Sequence, residues 1–289
     1  MSGKKTLRRT ALLLTAMAVM AVLVPSVIAA DATVDAETGL PSFLNDGNGN
    51  DSLELLTFFL FFVGYISMGA AFVFFMSERN SVAPEYRTTM TISALIVGIA
   101  AFHYYYMRGV YVDTQVVSTE YRYMDWIITV PLMALKFPSL VGKDAITDNK
   151  FAGLGFTGIC FVGAIIMIGF GYLGEANIIE NETIALLLGG MGWAMILVAT
   201  GLPFGLYDGL GVDNSKIKEE VKWSTDALRT FILVGWIIYP IGYLFNENTY
   251  DLGNEEIMGV LYNIADMINK IGFGVVAWMG AKKATAAMA

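Results

Sequence analysis

Long apolar segments alternate with short polar breaks from about residue 53 to the C-terminus. A helix needs about 20 apolar residues to cross the hydrocarbon layer of a bilayer. The pattern predicts seven such helices, called segments one to seven: Leu53–Met76, Thr88–Gly109, Tyr121–Leu140, Phe151–Leu173, Ile184–Leu206, Leu228–Phe245 and Ile257–Ala281. We therefore predict an all-α membrane protein in which residues 52–289 form one seven-helix bundle.

The first thirty residues have the three parts of a secretory signal peptide. Four basic residues precede an apolar stretch, Ala11–Ala30, whose small residues at the end offer a cleavage site. We interpret residues 1–30 as a removable signal. The alternative is an uncleaved additional membrane helix, since the apolar stretch is long for a signal. Residues 31–51 are polar and acidic, which predicts a mobile tail outside the membrane.

The composition excludes several classes of protein. Hydrophobic residues make up 56% of the chain and charged residues 15%, with a mean hydropathy of +0.59, whereas soluble domains carry about 25% charged residues. A net charge of -8 argues against a nucleic-acid partner, because phosphate backbones require clustered basic residues. Cys160 and His103 are the single cysteine and histidine. The sequence therefore offers no disulfide framework and no multi-histidine metal cluster.

The charges in the polar breaks predict the orientation. Basic residues concentrate after segments one, three and five and at the C-terminus, whereas the opposite breaks carry Arg108 and many acids. Positive charge marks the cytoplasmic side. The N-terminus is therefore expected outside and the C-terminus inside, which seven crossings after a cleaved signal also require.

Gly153, Gly155 and Gly158 match the letters of a dinucleotide-binding fingerprint. No strand precedes them, as that fingerprint requires. We interpret them instead as small residues that allow close packing of membrane helices.

Segment three contains ionisable residues, which are costly within a membrane and are therefore functional candidates. At about 100° per residue, Arg122, Asp125 and Lys136 fall on one face. Asp125 and Lys136 are roughly 16 Å apart along the axis, so they cannot pair directly. They could be successive groups along a path across the membrane. The alternative is an Arg122–Asp125 pair at the outer end and a Lys136 side chain that extends to the inner headgroups. The same face also carries Trp126, Thr129 and Met133.

Segment seven places Tyr262, Asp266 and Lys270 four residues apart, and therefore on one helix face. The neutral amine of a desolvated lysine is the form that condenses with an aldehyde. Asp125 and Asp266 would then be well placed to hold the resulting iminium in its charged form.

Three segments carry sequence strings that occur together in one known family. The strings are Arg122-Tyr-x-Asp125-Trp126-x-x-Thr129-x-Pro131, Gly235-Trp236-Ile-Ile-Tyr239-Pro240-x-Gly242-Tyr243 and Tyr262-Asn-x-Ala-Asp266-x-x-Asn269-Lys270. The chain after the signal resembles the microbial rhodopsins of the proteorhodopsin type over nearly its whole length. The resemblance implies a seven-helix bundle around a retinal pocket, in the plasma membrane of a bacterium.

The resemblance also implies the roles of individual residues. All-trans retinal is expected to be bound covalently to Lys270 as a protonated Schiff base. Asp125 corresponds to the primary counterion and proton acceptor, Asp266 to the second counterion, Arg122 to the outward gate, and His103 to the histidine that pairs with the acceptor. The expected retinal contacts are Trp126, Thr129, Met133, Trp236, Tyr239 and Pro240, with Met133 at the colour-tuning position and favouring green absorption.

The activity implied is a light-driven outward proton pump, a transporter rather than an enzyme, working in the lipid bilayer on protons. Most of the family carries a carboxylic acid as cytoplasmic proton donor where this chain has Lys136; a minority has lysine, so Lys136 is the expected donor. The alternative is a sensory rhodopsin that signals through a separate transducer. A pentamer or hexamer is expected by family analogy alone.

Overall fold

The computed structural model describes residues 34–47, 49, 51–203 and 209–288. The predicted signal peptide lies outside the described residues. The α-helices of the described part, in chain order, are α1 (Asp51–Glu78), α2 (Arg87–Thr114), α3 (Thr119–Val141), α4 (Phe156–Glu175), α5 (Glu182–Thr200), α6 (Glu219–Leu233), α7 (Ile238–Tyr243), α8 (Glu255–Asp266) and α9 (Phe273–Ala287). A π-helical turn, Met267–Gly272, joins α8 to α9.

Six stretches of the described residues are long and apolar enough to span a membrane. They comprise the first five helices and the continuous run Glu255–Ala287. The remaining crossing is α6 and α7 joined by a 3₁₀ turn, Gly235–Ile237. The predicted all-α, seven-helix architecture is therefore confirmed.

The sixth crossing begins at Glu219, well before the predicted Leu228. The first turns of α6 are amphipathic, with charged residues on one face and Val221 and Thr225 buried on the other. A hydropathy pattern locates only the apolar part of a helix whose first turns are amphipathic, so the prediction missed the first half of α6.

The fourth helix begins at Phe156 rather than at the predicted Phe151. Phe151 and Leu154 exchange two backbone hydrogen bonds of 2.9 Å, and Gly153 takes a φ of +81°, which glycine adopts without strain. These contacts form a tight turn instead of a helix. The interpretation of Gly153 and Gly155 as helix-packing residues is therefore wrong.

Close packing between α4 and α5 depends on Gly163 and Gly192. A Cβ atom on Gly192 would lie 2.4 Å from the carbonyl oxygen of Gly163 and from the backbone nitrogen of Met167. We expect Gly192→Ala to destabilise the protein by about 1–3 kcal/mol, since backbone atoms cannot move aside as a flexible side chain can. Thermal unfolding in detergent measures the loss. Gly169→Ala is the control because its Cβ meets nothing within 4 Å; equal midpoints for the two variants would contradict the prediction.

Contacts between the loops place the basic breaks at one end of the bundle. Lys218 Nζ lies 3.0 Å from Glu85 Oε1, and the backbone nitrogen of Ala83 donates to Thr285 Oγ1 at 2.8 Å. Thr147 Oγ1 donates to the carbonyl oxygen of Leu210. The breaks after segments one, three and five therefore meet beside the C-terminal helix, as their shared positive charge predicted.

Part of the predicted N-terminal tail packs against the opposite end of the bundle. Phe43 and Leu44 are buried in a 3₁₀ turn, Ser42–Asn45. The Phe43 ring meets the Tyr111 ring edge to face, with centroids 5.6 Å apart. This portion of the tail docks on α2 rather than extending freely into solvent.

Candidate functional site

The structure brings Lys270 together with two carboxylates from different helices. Lys270 Nζ contacts Asp125 Oδ2 directly and lies 2.9 Å from Asp266 Oδ2. All three side chains are at most 2% exposed. A buried charge is tolerated when it is paired, so the positive amine and its two acids form one unit between α3 and the seventh crossing.

Lys270 lies in the π-helical turn, Met267–Gly272. Its neighbour Asn269 donates from Nδ2 to the carbonyl oxygen of Gly235 at 3.0 Å. A Cβ on Gly235 would lie 2.2 Å from Asn269 Oδ1, so glycine is required for this approach. The irregular turn at Lys270 is therefore braced by the break between α6 and α7, and π-helical turns are frequent at functional sites.

Asp266 is surrounded by hydrogen-bond donors. Tyr239 donates its hydroxyl to Oδ1 at 2.8 Å, and Trp126 donates Nε1–H to the same oxygen at 3.2 Å. Tyr104 donates to Oδ2 at 3.0 Å. The sequence analysis did not identify Tyr104, although a tyrosine directly after His103 in an apolar segment was a usable signal.

Neither His103 nor Arg122 forms a hydrogen bond with Asp125 among the residues that the structure describes. His103 Nδ1 is 3.9 Å from Asp125 Oδ1 and 3.1 Å from the carbonyl oxygen of Ile99. Arg122 Nη2 donates to Asn263 Oδ1 at 3.0 Å. No ion pair joins Arg122 to Asp125 within the described part of the chain, so the simple outer-end pair considered from the sequence is not formed.

Lys136 is fully buried on the same helix as Asp125. Its Nζ lies 4.6 Å from the centroid of the Phe273 ring, a distance typical of a cation–π contact. Nζ has no hydrogen-bond partner among the described residues. The side chain therefore does not extend to the lipid headgroups in this conformation.

An apolar cavity between the helices reaches Lys270. Its walls include Trp126, Met133, Trp236, Tyr239 and Pro240, all of which the sequence analysis had selected. Thr129 is not among the lining residues; its hydroxyl donates to the carbonyl oxygen of Asp125 at 3.0 Å. The cavity can enclose an apolar molecule and offers it one primary amine.

Glu175 is a site residue that the sequence analysis missed. Its place at the end of α4 suggested an acid of the outer break, yet the side chain is 1% exposed and lines the cavity. The Tyr262 hydroxyl donates to its Oε1 at 2.8 Å. Only contacts with distant residues distinguish it from the exposed acids that follow it in sequence.

Comparison with known proteins supports one family. The family model described as bacteriorhodopsin-like protein matches residues 55–284. The blue-light absorbing proteorhodopsin of Gamma-proteobacterium Hot 75m4 is 35% identical over 252 residues, covering 84% of this chain and 93% of the relative. The green-light absorbing proteorhodopsin of Gamma-proteobacterium EBAC31A08 is 34% identical, with the same shares covered.

Solved structures agree with this assignment. Exiguobacterium sibiricum rhodopsin superimposes with a TM-score of 0.65 at 33% identity, covering 81% of this chain and 99% of that one. Xanthorhodopsin, a light-driven ion pump with dual chromophore, gives a TM-score of 0.68 at 26% identity over 82% and 96% of the two chains. This chain is a multi-pass membrane protein that belongs to the bacteriorhodopsin-like family, the microbial rhodopsins.

Proposed function

We propose that this protein is a light-driven outward proton pump that uses retinal held at Lys270. One observation carries the proposal: a buried amine faces an apolar cavity while it contacts two buried carboxylates. An amine in an apolar cavity suits an apolar aldehyde, and the carboxylates supply a proton acceptor and a balancing charge.

The residues of the cavity fit retinal. Trp126, Trp236 and Tyr239 offer aromatic walls, and Met133 and Pro240 offer apolar ones, as a long hydrocarbon chain requires. Bound at Lys270 Nζ, retinal supplies the absorption of visible light and a light-driven fall in the proton affinity of that nitrogen. The all-trans configuration, the covalent bond and the green absorption favoured by Met133 remain predictions.

The two carboxylates differ in a way that favours Asp125 as the proton acceptor. Asp266 receives hydrogen bonds from Tyr104, Trp126 and Tyr239 as well as from Lys270, and such bonds stabilise a carboxylate. Asp125 Oδ1 has no hydrogen-bond partner among the described residues. A proton released from Lys270 Nζ is therefore taken up more readily by Asp125, while Asp266 stays charged and orients the amine.

Lys136 and Arg122 define the path of the proton on the two sides of Asp125. Lys136 is buried on α3 in the direction of the basic loops, and Arg122 lies on the same helix on the other side of Asp125. With the basic loops in the cytoplasm, Lys136 returns a proton to Nζ from inside. Arg122, held by Asn263, stands on the outward side of the acceptor. Transport is therefore outward.

Illumination of cells that express the chain with added retinal tests the proposal. We expect acidification of the medium that a protonophore abolishes, together with a visible absorption band that hydroxylamine bleaches. A sensory rhodopsin would show the band without the acidification and would need a transducer. A protein without the band would overturn retinal binding itself.

Tyr104→Phe tests the surroundings of Asp266. The variant removes one donor, so the negative charge of Asp266 interacts more strongly with the positive charge on Nζ and stabilises the ground state. We expect the absorption maximum to move to shorter wavelength with pumping retained. Tyr106→Phe, at a side chain that is 42% exposed, is the control and should leave the maximum unchanged. A shift to longer wavelength in Tyr104→Phe would contradict this account.

A further inference from the structure

A hydrogen bond across the cavity joins Glu175 of α4 to Tyr262 of α8. The tyrosine hydroxyl lies 2.8 Å from Glu175 Oε1, and the two residues are 87 positions apart. Each is 1% exposed. Glu175 Oε2 has no hydrogen-bond partner among the described residues. A carboxyl group buried this deeply is costly unless it is hydrogen-bonded, so this bond holds both side chains in place.

The Tyr262 ring contacts three groups of the photoactive site. The Arg122 guanidinium lies over it, 5.4 Å from the centroid. The Trp126 ring packs edge to face at 5.1 Å, and the Tyr239 ring lies at 5.9 Å. Trp126 and Tyr239 both donate to Asp266. A displacement of the Tyr262 ring is therefore transmitted to the gate and to the second carboxylate.

Without Glu175 the tyrosine has another acceptor available. The Tyr262 hydroxyl also lies 3.2 Å from the carbonyl oxygen of Tyr239. Loss of the carboxyl group would let the hydroxyl turn fully to that oxygen. Both acceptors are reached from one position of the ring, so the bond to Glu175 is a second anchor that ties the hydroxyl to α4 and limits how far the ring can move.

We propose that Glu175 is a positioning residue of the photoactive site and acts through Tyr262 on Arg122 and on the donors of Asp266. Its effect on colour rests on the proposed function, because colour requires retinal at Lys270. Its effect on the position of Tyr262 does not depend on retinal and stands apart from the proposed function. The hydrogen bond, rather than a negative charge on Glu175, is the property that matters.

A double-mutant cycle on protein prepared without retinal tests the bond. We expect Glu175→Leu and Tyr262→Phe each to lower the thermal unfolding midpoint by about 3 °C. The double variant should fall no further than Tyr262→Phe alone, since that change already removes the bond that Glu175→Leu removes. Glu175→Gln keeps an oxygen acceptor and should stay near wild type. Glu180→Leu, at an exposed acid nearby, is the control. Additive losses would overturn the proposal.

The second measurement uses the same variants with retinal added. Glu175→Leu should shift the absorption maximum, the double variant should show the same maximum as Tyr262→Phe alone, and Glu175→Gln should show the wild-type maximum. A Gln variant that shifts as far as Leu would assign the effect to charge and overturn the proposal. A wild-type protein that forms no pigment would refute the proposed function, and the unfolding cycle would still decide whether Glu175 positions Tyr262.

Discussion

Asp125→Asn is expected to give a coloured protein that does not acidify the medium in the light. Asparagine has nearly the shape of aspartate, and Lys270 Nζ keeps its contact with Asp266 at 2.9 Å, so the site retains one negative partner for its positive charge. The amide cannot take up a proton under these conditions. The proton on Nζ then has no acceptor on the outward side.

Light-driven pH change in a suspension of intact cells measures this result, with the amount of pigment fixed by the absorption band. The rate of acidification should fall to that of the dark control. Asp113→Asn, at an exposed acid of α2, should pump as the wild type does. Asp125→Glu restores a carboxylate and should recover part of the activity. Sustained outward pumping by Asp125→Asn would remove Asp125 from the acceptor role.

The sequence predicted the site best where its geometry is local. Asp266 and Lys270 are one helical turn apart in the chain, and the structure gives an ion pair between them. The shared face of Asp125 and Lys136 was equally predictable, because both residues lie on the single helix α3 and both are buried. The meeting of Asp125 with Lys270, 145 positions apart, was expected from the need of a buried cation for carboxylate partners and from the family resemblance, and not from periodicity.

The features that sequence reasoning missed depend on contacts between helices. Glu175 has no local signal and Tyr104 only its place directly after His103, since their partners, Tyr262 and Asp266, lie on another crossing. The π-helical turn at Lys270 is accompanied by a bond from Asn269 to Gly235, which joins two irregular stretches. Helix periodicity assumes a regular helix throughout and cannot anticipate such a pair.

The sequence also misjudged where polar residues end a crossing. The early start of α6 at Glu219 and the turn before Phe156 both lie next to polar breaks of the sequence, where the apolar pattern ends. Hydropathy reports the length of an apolar stretch, whereas helix ends are determined by backbone hydrogen bonding.

Lys136→Met is expected to slow the return of the dark-state absorption after a flash by about 100-fold at neutral pH, the order that a positioned proton donor contributes. Methionine keeps the length and contacts of the lysine stem beside Phe273 but carries no proton. The fold should tolerate it, because the change removes a buried amine with no hydrogen-bond partner among the described residues. The proton must then come from bulk water, so recovery should slow further as the pH rises.

Flash spectroscopy across a range of pH separates the two roles considered for Lys136. A donor predicts slow, pH-dependent recovery in Lys136→Met and faster recovery in Lys136→Glu, which restores a group that can carry a proton. Leu135→Met, at the adjacent position on another face of α3, controls for a change of side chain in this helix. Unchanged recovery in Lys136→Met would show that the buried amine serves packing against Phe273 alone, and the cytoplasmic proton would then need another route to Lys270.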